Sequence, residues 1–125
     1  MSSKYHARKV YEYADGTVSV GVDLGKERKQ IFDSVKEYER WLELKALERD
    51  GAITGLKRQV RYELIPTLHT FAGAPVRGVS YVADFVYTDR NGTFHVEDVK
   101  GMRTEVYKLK RKLMLYIKGI DIEEV

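Results

Sequence analysis

Between residues 10 and 22 the stretch VYEYADGTVSVGV alternates apolar and polar positions around Asp15-Gly16. A period of two places the apolar side chains on one face of a strand, and Asp-Gly is a two-residue turn signal, so the pattern predicts a β-hairpin. The period then changes. In FDSVKEYERWLELKALERDG, Ser34 fits an N-cap and Glu37 completes a capping box, while Tyr38, Trp41, Leu42, Leu44 and Leu47 recur near the helical period until Gly51. This predicts a first helix. GLKRQVRYELIP returns to alternation, with Val60, Tyr62 and Leu64 set against Arg61 and Glu63, and Pro66 ends a strand of residues 57–65. A loop rich in Gly and Pro, PTLHTFAGAPVRG, leads into YVADFVYTDRNGTFHVEDVKG, two alternating segments about one turn. After Gly101, Val106, Leu109, Leu113 and Ile117 mark one face of a second helix with basic residues on its flanks. Gly119 ends that helix, and IDIEEV can form a short last strand.

From Ser34 onward the order is helix, strand, strand, strand, helix, strand. That is an α/β fold with the first hairpin added in front. The 125 residues are 43% apolar and 33% charged and contain no repeat, low-complexity segment or linker, which suits one globular domain. Within it, residues 1–33 form an N-terminal arm and hairpin and residues 34–125 the core. No apolar run approaches the roughly 18 residues needed to cross a bilayer, and Met1-Ser2-Ser3-Lys4-Tyr5-His6 has no apolar stretch resembling a signal peptide. The expected location is intracellular, with no membrane partner.

Zero cysteines exclude disulfides, thiolate zinc sites and Cys nucleophiles. Any metal must be held by oxygen or imidazole ligands, which favours a hard cation such as magnesium or manganese. His6, His69 and His95 lack metal-ligand spacing and read as incidental. Asn91-Gly92-Thr93 matches a glycosylation acceptor, which carries no weight without secretion. Net charge is +3, a small excess whose distribution matters more than its size. Lys108, Lys110, Arg111, Lys112 and Lys118 crowd one C-terminal stretch, while Lys4, His6, Arg8 and Lys9 load the N-terminal arm. Either place could hold a polyanion; the alternative is a solvated helix face and a frayed terminus.

The second hairpin allows two registers. A two-residue turn at Asn91-Gly92 places Asp84 opposite Val99 and puts Asp98 and Lys100 on the other face. A three-residue loop, Arg90-Asn91-Gly92 with Gly92 left-handed in a bulge, pairs Asp84 with Asp98, Val86 with Val96, Val82 with Lys100 and Thr88 with Phe94. Apolar then meets apolar, and acid meets acid. Opposed carboxylates with β-carbons about 5 Å apart repel, so this register calls for a cation or a proton between them, and a divalent metal is the simplest compensation. Lys100 follows Asp98 by two positions, shares its face, and can offset charge or hold a water. Glu97 points away from both.

Asp84, then Asp98-Val99-Lys100 after a turn, resembles the P-D…(D/E)-x-K signature of the restriction-endonuclease-like nuclease superfamily, and the expected element order matches that superfamily's α-β-β-β-α-β core on a mixed sheet. Ala83 stands where the signature has proline, which is not a ligand. The chain is more closely similar to small phage-encoded proteins of this superfamily described as endonucleases or as Holliday-junction-resolvase-like. The similarity lies in Ser3-Lys4-Tyr5, Phe32-Asp33-Ser34 with Glu37, Gln59, Tyr81-Val82-Ala83-Asp84-Phe85, Val96-Glu97-Asp98-Val99-Lys100-Gly101 and Thr104…Tyr107-Lys108-Leu109-Lys110, and so covers nearly the whole chain.

The resemblance implies hydrolysis of a phosphodiester by a metal-activated water. Asp84, Asp98 and the Val99 carbonyl would ligate Mg2+, with Mn2+ as a substitute. Lys100 would orient the water or stabilise phosphate charge. Glu37 matches the helical acid of the superfamily, with Glu39 as its rival and a plain capping role as the bland alternative. Gln59 matches a polar position that could hold phosphate or water, and a surface glutamine is the other reading. Lys4, Lys108, Lys110 and Lys112 would contact the DNA backbone. The function implied is a magnesium-dependent DNA endonuclease acting inside the bacterial host of a phage, with branched DNA such as a Holliday junction as one candidate substrate. The alternatives are a nuclease with little structure preference and a DNA-binding module on the same fold that does not cut. Resolving a symmetric junction takes two coordinated cuts and therefore predicts a homodimer, for which the N-terminal hairpin is a candidate interface or DNA clamp.

Overall fold

The computed structural model describes residues 8–100 and 102–125. Lys4 and His6 lie outside them, as does Gly101. The protein is mixed α/β, and the chain divides between Asp50 and Gly51 into two compact units. The first unit thus takes in the helix that was expected to belong with the C-terminal core.

In the first unit β1 (Val10–Tyr13), β2 (Val18–Val20) and β3 (Arg28–Phe32) form an antiparallel sheet in the order β2-β1-β3. The third strand was not visible in the sequence pattern, because RKQIF offers only two apolar residues at its end. Helix α1 (Val35–Arg49) follows directly. Ser34 caps it by accepting from the Glu37 backbone N–H at 3.0 Å, and the Asp33 N–H donates to Glu37 Oε1 at 3.3 Å. Ser34 thus caps the helix as the spacing predicted, satisfying an amide that a helix start leaves orphaned, while Glu37 reaches back to the amide one residue before the cap. Val10, Tyr13, Phe32 and Leu44 are fully buried. Phe32 meets the ring of Tyr38 edge-on with centroids 5.1 Å apart, a geometry aromatic pairs prefer.

The second unit is built on a mixed sheet in the order β4-β7-β8-β9. Strand β4 runs from Ile53 to Ile65, longer than its alternation suggested, and pairs antiparallel with β7 (Val79–Asp89). Between them β5 (Leu68–His69) and β6 (Pro75–Val76) make a small hairpin inside what reads as loop. Strand β7 pairs antiparallel with β8 (Phe94–Asp98), and β8 pairs parallel with the two-residue β9 (Glu123–Glu124). Helix α2 (Glu105–Leu113) continues as a π-helical segment, Met114–Lys118, which Gly119 ends with a left-handed φ of 67°. Its core packing corrects the sequence reading. Tyr107 and Met114 are the buried residues, clustered with Leu64, Tyr81, Ala83, Val86, Val96 and Ile122, whereas Val106 and Leu109 are 62% and 55% exposed. Tyr107 and Met114, seven residues apart, share a helical face about 100° round from the stripe of Val106 and Leu109, so the helix buries the neighbouring face and not the one the apolar stripe marks. No helix of the described residues is long and apolar enough to cross a membrane.

All three hairpins close in one way. Tyr13 N–H bonds Thr17 O, Thr70 N–H bonds Ala74 O and Asp89 N–H bonds Thr93 O, each at 2.8–2.9 Å. In each the loop holds three residues and its last is a glycine, Gly16, Gly73 or Gly92, with φ of 90°, 94° or 83°. The two-residue turn expected at Asp15-Gly16 is therefore a three-residue loop, because the glycine serves as the left-handed bulge position and not as the second corner of a tight turn.

Candidate active site

The loop at Arg90-Asn91-Gly92 sets the register of β7 on β8. The paired residues are Thr88 with Phe94, Tyr87 with His95, Val86 with Val96 and Phe85 with Glu97. This is the register in which apolar meets apolar. Asp89 helps to hold it, since its carboxylate accepts from the N–H groups of Asn91 at 2.8 Å and Thr93 at 3.0 Å.

The ladder ends at Phe85 and Glu97, so the pairs expected next, Asp84 with Asp98 and Val82 with Lys100, lie beyond it. From there β8 turns to the C-terminus: the Val125 N–H donates to the Asp98 carbonyl at 3.1 Å and the Lys100 N–H to the Val125 carbonyl at 3.3 Å. The Asp84 side chain fills the place the partner strand vacates. Its Oδ2 accepts the Val99 N–H at 2.8 Å, and its Oδ1 accepts from Gln59 Nε2 at 3.3 Å. Gln59 lies between Arg58, which pairs with Phe85, and Val60, which pairs with Ala83. It has a φ of 56°, a left-handed conformation uncommon for residues other than glycine and asparagine, here found beside the candidate site.

Asp98 is buried. Its Oδ2 accepts from the Tyr81 hydroxyl at 2.6 Å and its Oδ1 lies 3.1 Å from Lys100 Nζ. The Tyr81 hydroxyl is pushed far above the usual phenol range, by burial first and by the Asp98 bond second, so it stays a donor at neutral pH. Lys100 Nζ also sits 3.8 Å from the centroid of the Tyr107 ring, a cation–π contact. The Tyr107 hydroxyl donates in turn to Glu124 Oε2 at 2.7 Å. Arg103 and Arg111 reach the same carboxylate, and Glu124 is held down to about 2, chiefly by Arg103 and then by Tyr107 and Arg111. Lys100 is thus positioned on both sides, by a carboxylate and by a ring whose own position is fixed.

Each acid of the expected site therefore has protein donors, and the repulsion inferred from opposed carboxylates is relieved by hydrogen bonds and Lys100. Among the described residues no three His, Cys, Asp or Glu side chains form a group disposed to hold a metal ion. The fourth expected site residue, Glu37, is buried in the first unit at the start of α1. Glu97 points away from Asp98, as strand alternation required, and accepts from the buried Tyr87 hydroxyl. On α2, Lys108 pairs with Glu105 at 3.0 Å, Lys112 is exposed and Lys110 is half-buried.

Tyr81 and Tyr107 carry no signal in the sequence that sets them apart from other aromatic residues, and His95 has no metal-ligand spacing to single it out. Both nitrogens of that ring are engaged, Nε2 by Asp89 Oδ2 at 2.8 Å and Nδ1 by Glu123 Oε2 at 2.6 Å, and the ring stacks on Tyr87 with centroids 5.0 Å apart. Only the protonated imidazolium donates from both nitrogens, and the Asp89 bond is the main cause raising its pKa. No spacing rule finds such a contact, because Glu123 arrives from the far end of the chain.

Comparison with curated proteins and with solved structures returns no match. The sequence profile of one family spans residues 22–122, and the chain therefore belongs to the family DUF1064, described as a protein of unknown function.

Proposed function

We propose that the protein is a metal-dependent DNA endonuclease with the restriction-endonuclease-like core. The observation that carries this reading is the three-residue loop at 90–92, whose register brings Asp84 and Asp98-Val99-Lys100 to one end of the β7–β8 pair, with Asp84 bound to Val99 and Lys100 bound to Asp98. The donor set suits magnesium. It offers two carboxylates and a backbone carbonyl, all hard oxygen ligands, and each carboxylate has lone pairs beyond the bonds described. Asp84, Asp98 and the Val99 carbonyl would hold the ion. When bound, it would lower the pKa of a water and neutralise charge on the phosphate.

The rest falls to the chain's own groups. Tyr81 orients Asp98 by donating to one of its oxygens. Lys100, held between Asp98 and the Tyr107 ring, presents its ammonium to the developing phosphate charge or to the attacking water. Gln59 orients Asp84 from the neighbouring strand. Lys110 and Lys112 add sequence-independent attraction for the DNA backbone. A second reading, a DNA-binding module that does not cut, is favoured by the protein donors already engaging both acids.

Cleavage decides between them. Linear, single-stranded and four-way-junction DNA are incubated with the protein in Mg2+, Mn2+ or EDTA, beside Asp84→Asn, whose amide oxygen can still accept from Val99. Metal-dependent cleavage that the substitution abolishes is the expected result. Cleavage surviving EDTA or the substitution sinks this site, and salt-sensitive binding without cleavage in either metal supports the module. Preference for the junction would go with a dimer in solution or on DNA, because two symmetric cuts need two sites.

A further inference from the structure

Three cations of the second unit share a cleft. Arg61 on β4, Arg77 just before β7 and Lys110 on α2 line a cavity of about 500 Å³ with a single carboxylate, Glu63, among them. Among the described residues no acid pairs with any of the three, although nearby cations are matched, Lys108 by Glu105 and Arg103 and Arg111 by Glu124. The remaining walls combine the hydroxyls of Thr67 and Ser80 with the apolar side chains of Val106 and Leu109. Those two are among the residues that the helical period assigned to the core and that the fold leaves exposed. Burying them against a ligand would recover part of that exposure.

The cleft adjoins the acids along the chain at two points. Ser80 precedes Tyr81, which bonds Asp98, and Val106 precedes Tyr107, which carries Lys100. We propose that this cleft binds a single DNA strand flanking the phosphodiester held at Asp84 and Asp98, a subsite that rests on the endonuclease reading. Arg61 and Arg77 present planar forks suited to phosphate oxygens, and Lys110 adds a point charge. Val106 and Leu109 meet the sugar or base face between phosphates. The volume lies within the range of about 300–1,000 Å³ common for small-ligand sites, enough for a nucleotide or two and too small for a duplex. An acidic peptide would satisfy the cations but leave the alternation of anionic and flat apolar surface unused.

The test is fluorescence anisotropy of a labelled thymidine hexanucleotide with the full chain in EDTA, across salt concentrations. The Arg61→Ala/Arg77→Ala/Lys110→Ala triple variant should bind at least about tenfold more weakly. Its log–log salt slope should be shallower by about 2, since each phosphate contact on a single strand contributes about 0.7. Arg61→Lys/Arg77→Lys, which keeps charge at both positions, should retain most of the affinity and serves as the control for folding. The inference is overturned if the wild type does not bind the oligonucleotide, if the triple variant binds with unchanged affinity and slope, or if a hexaglutamate peptide competes as well as unlabelled oligonucleotide. A wild type that binds as expected but cleaves nothing with any metal would sink the endonuclease reading alone. A triple variant that cleaves and binds normally would sink the cleft alone.

Discussion

On the proposed mechanism the Asp98 atoms that hold the structure would also hold the ion, so substitutions of Asp98 must be chosen to separate the two roles. Its carboxylate is buried between Tyr81 and Lys100. Asp98→Ala leaves a largely buried ammonium and a phenol without their acceptor and should destabilise the protein by about 3 kcal/mol, read from urea midpoints. Asp98→Asn keeps an acceptor for Tyr81 and should cost less, and is therefore the better probe of cleavage. Tyr107 can be divided similarly. Tyr107→Phe removes only the bond to Glu124 and should cost about 1 kcal/mol while keeping the ring over Lys100. Tyr107→Leu removes the ring as well, and on the proposed mechanism should lower cleavage where Tyr107→Phe does not. These roles were invisible in the chain because alternation assigns Tyr81 to a core and the apolar stripe of the second helix, Val106, Leu109, Leu113 and Ile117, passes Tyr107 by, whereas both rings lie in the core. Only the hydroxyls distinguish them.

Among the elements, the hairpins depend on glycine more than on the dipeptides that announce them. A residue other than glycine at a φ near 83° costs about 1–2 kcal/mol, so Gly92→Ala should lower stability by that amount without altering the loop length. Gly78 fails for a different reason. A Cβ there would stand 2.4 Å from the Ile65 carbonyl oxygen and 2.9 Å from the Pro66 carbonyl carbon, both backbone atoms. Gly78→Ala must therefore pry β7 from the end of β4, and its loss in thermal stability should exceed that of Gly92→Ala. Element existence was largely legible, with both helices and the strands at Val10, Val18, Val60, Tyr81 and Val96 placed from period and caps. The strand at Arg28–Phe32 was not, since its pattern carries too few apolar positions to announce it. The π-helical end of α2 was not legible either, because a period analysis assumes one uniform period.

At the scale of the whole molecule, two charge clusters bracket the pH range of greatest stability. Glu124 is depressed from 4.5 to about 2, so the stability it contributes is present above pH 4.5 and is lost as pH falls toward 2. His95 is raised above 6.5, so its contribution is present below pH 6.5 and is lost as pH rises through the elevated value. Urea midpoints measured across pH should fall at both ends. Glu124→Gln should flatten the acid limb and His95→Gln the limb above neutrality, each leaving the other in place. His95 bridges Asp89 to Glu123, and Arg103 and Tyr107 meet Glu124, so the short β9 ties the hairpin and α2 through charge as well as through its ladder.

Taken alone, the order of residues determined the α/β class, the capped first helix and the strand faces, because those follow from local period and turn chemistry, and it left two registers open at Asn91-Gly92, of which apolar matching suits one. In that register Asp84, Asp98 and Lys100 come near one another, and the structure adopts it. Tertiary structure decided what holds each of them: Gln59 and Val99 on Asp84, Tyr81 on Asp98, the Tyr107 ring on Lys100. It likewise decided which side of α2 is buried and which lines the cleft with Arg61 and Arg77. The reason is range: period and turn rules act over a few residues, whereas these contacts join positions seven to forty-nine residues apart whose meeting depends on how strands diverge and how a helix is rotated upon them.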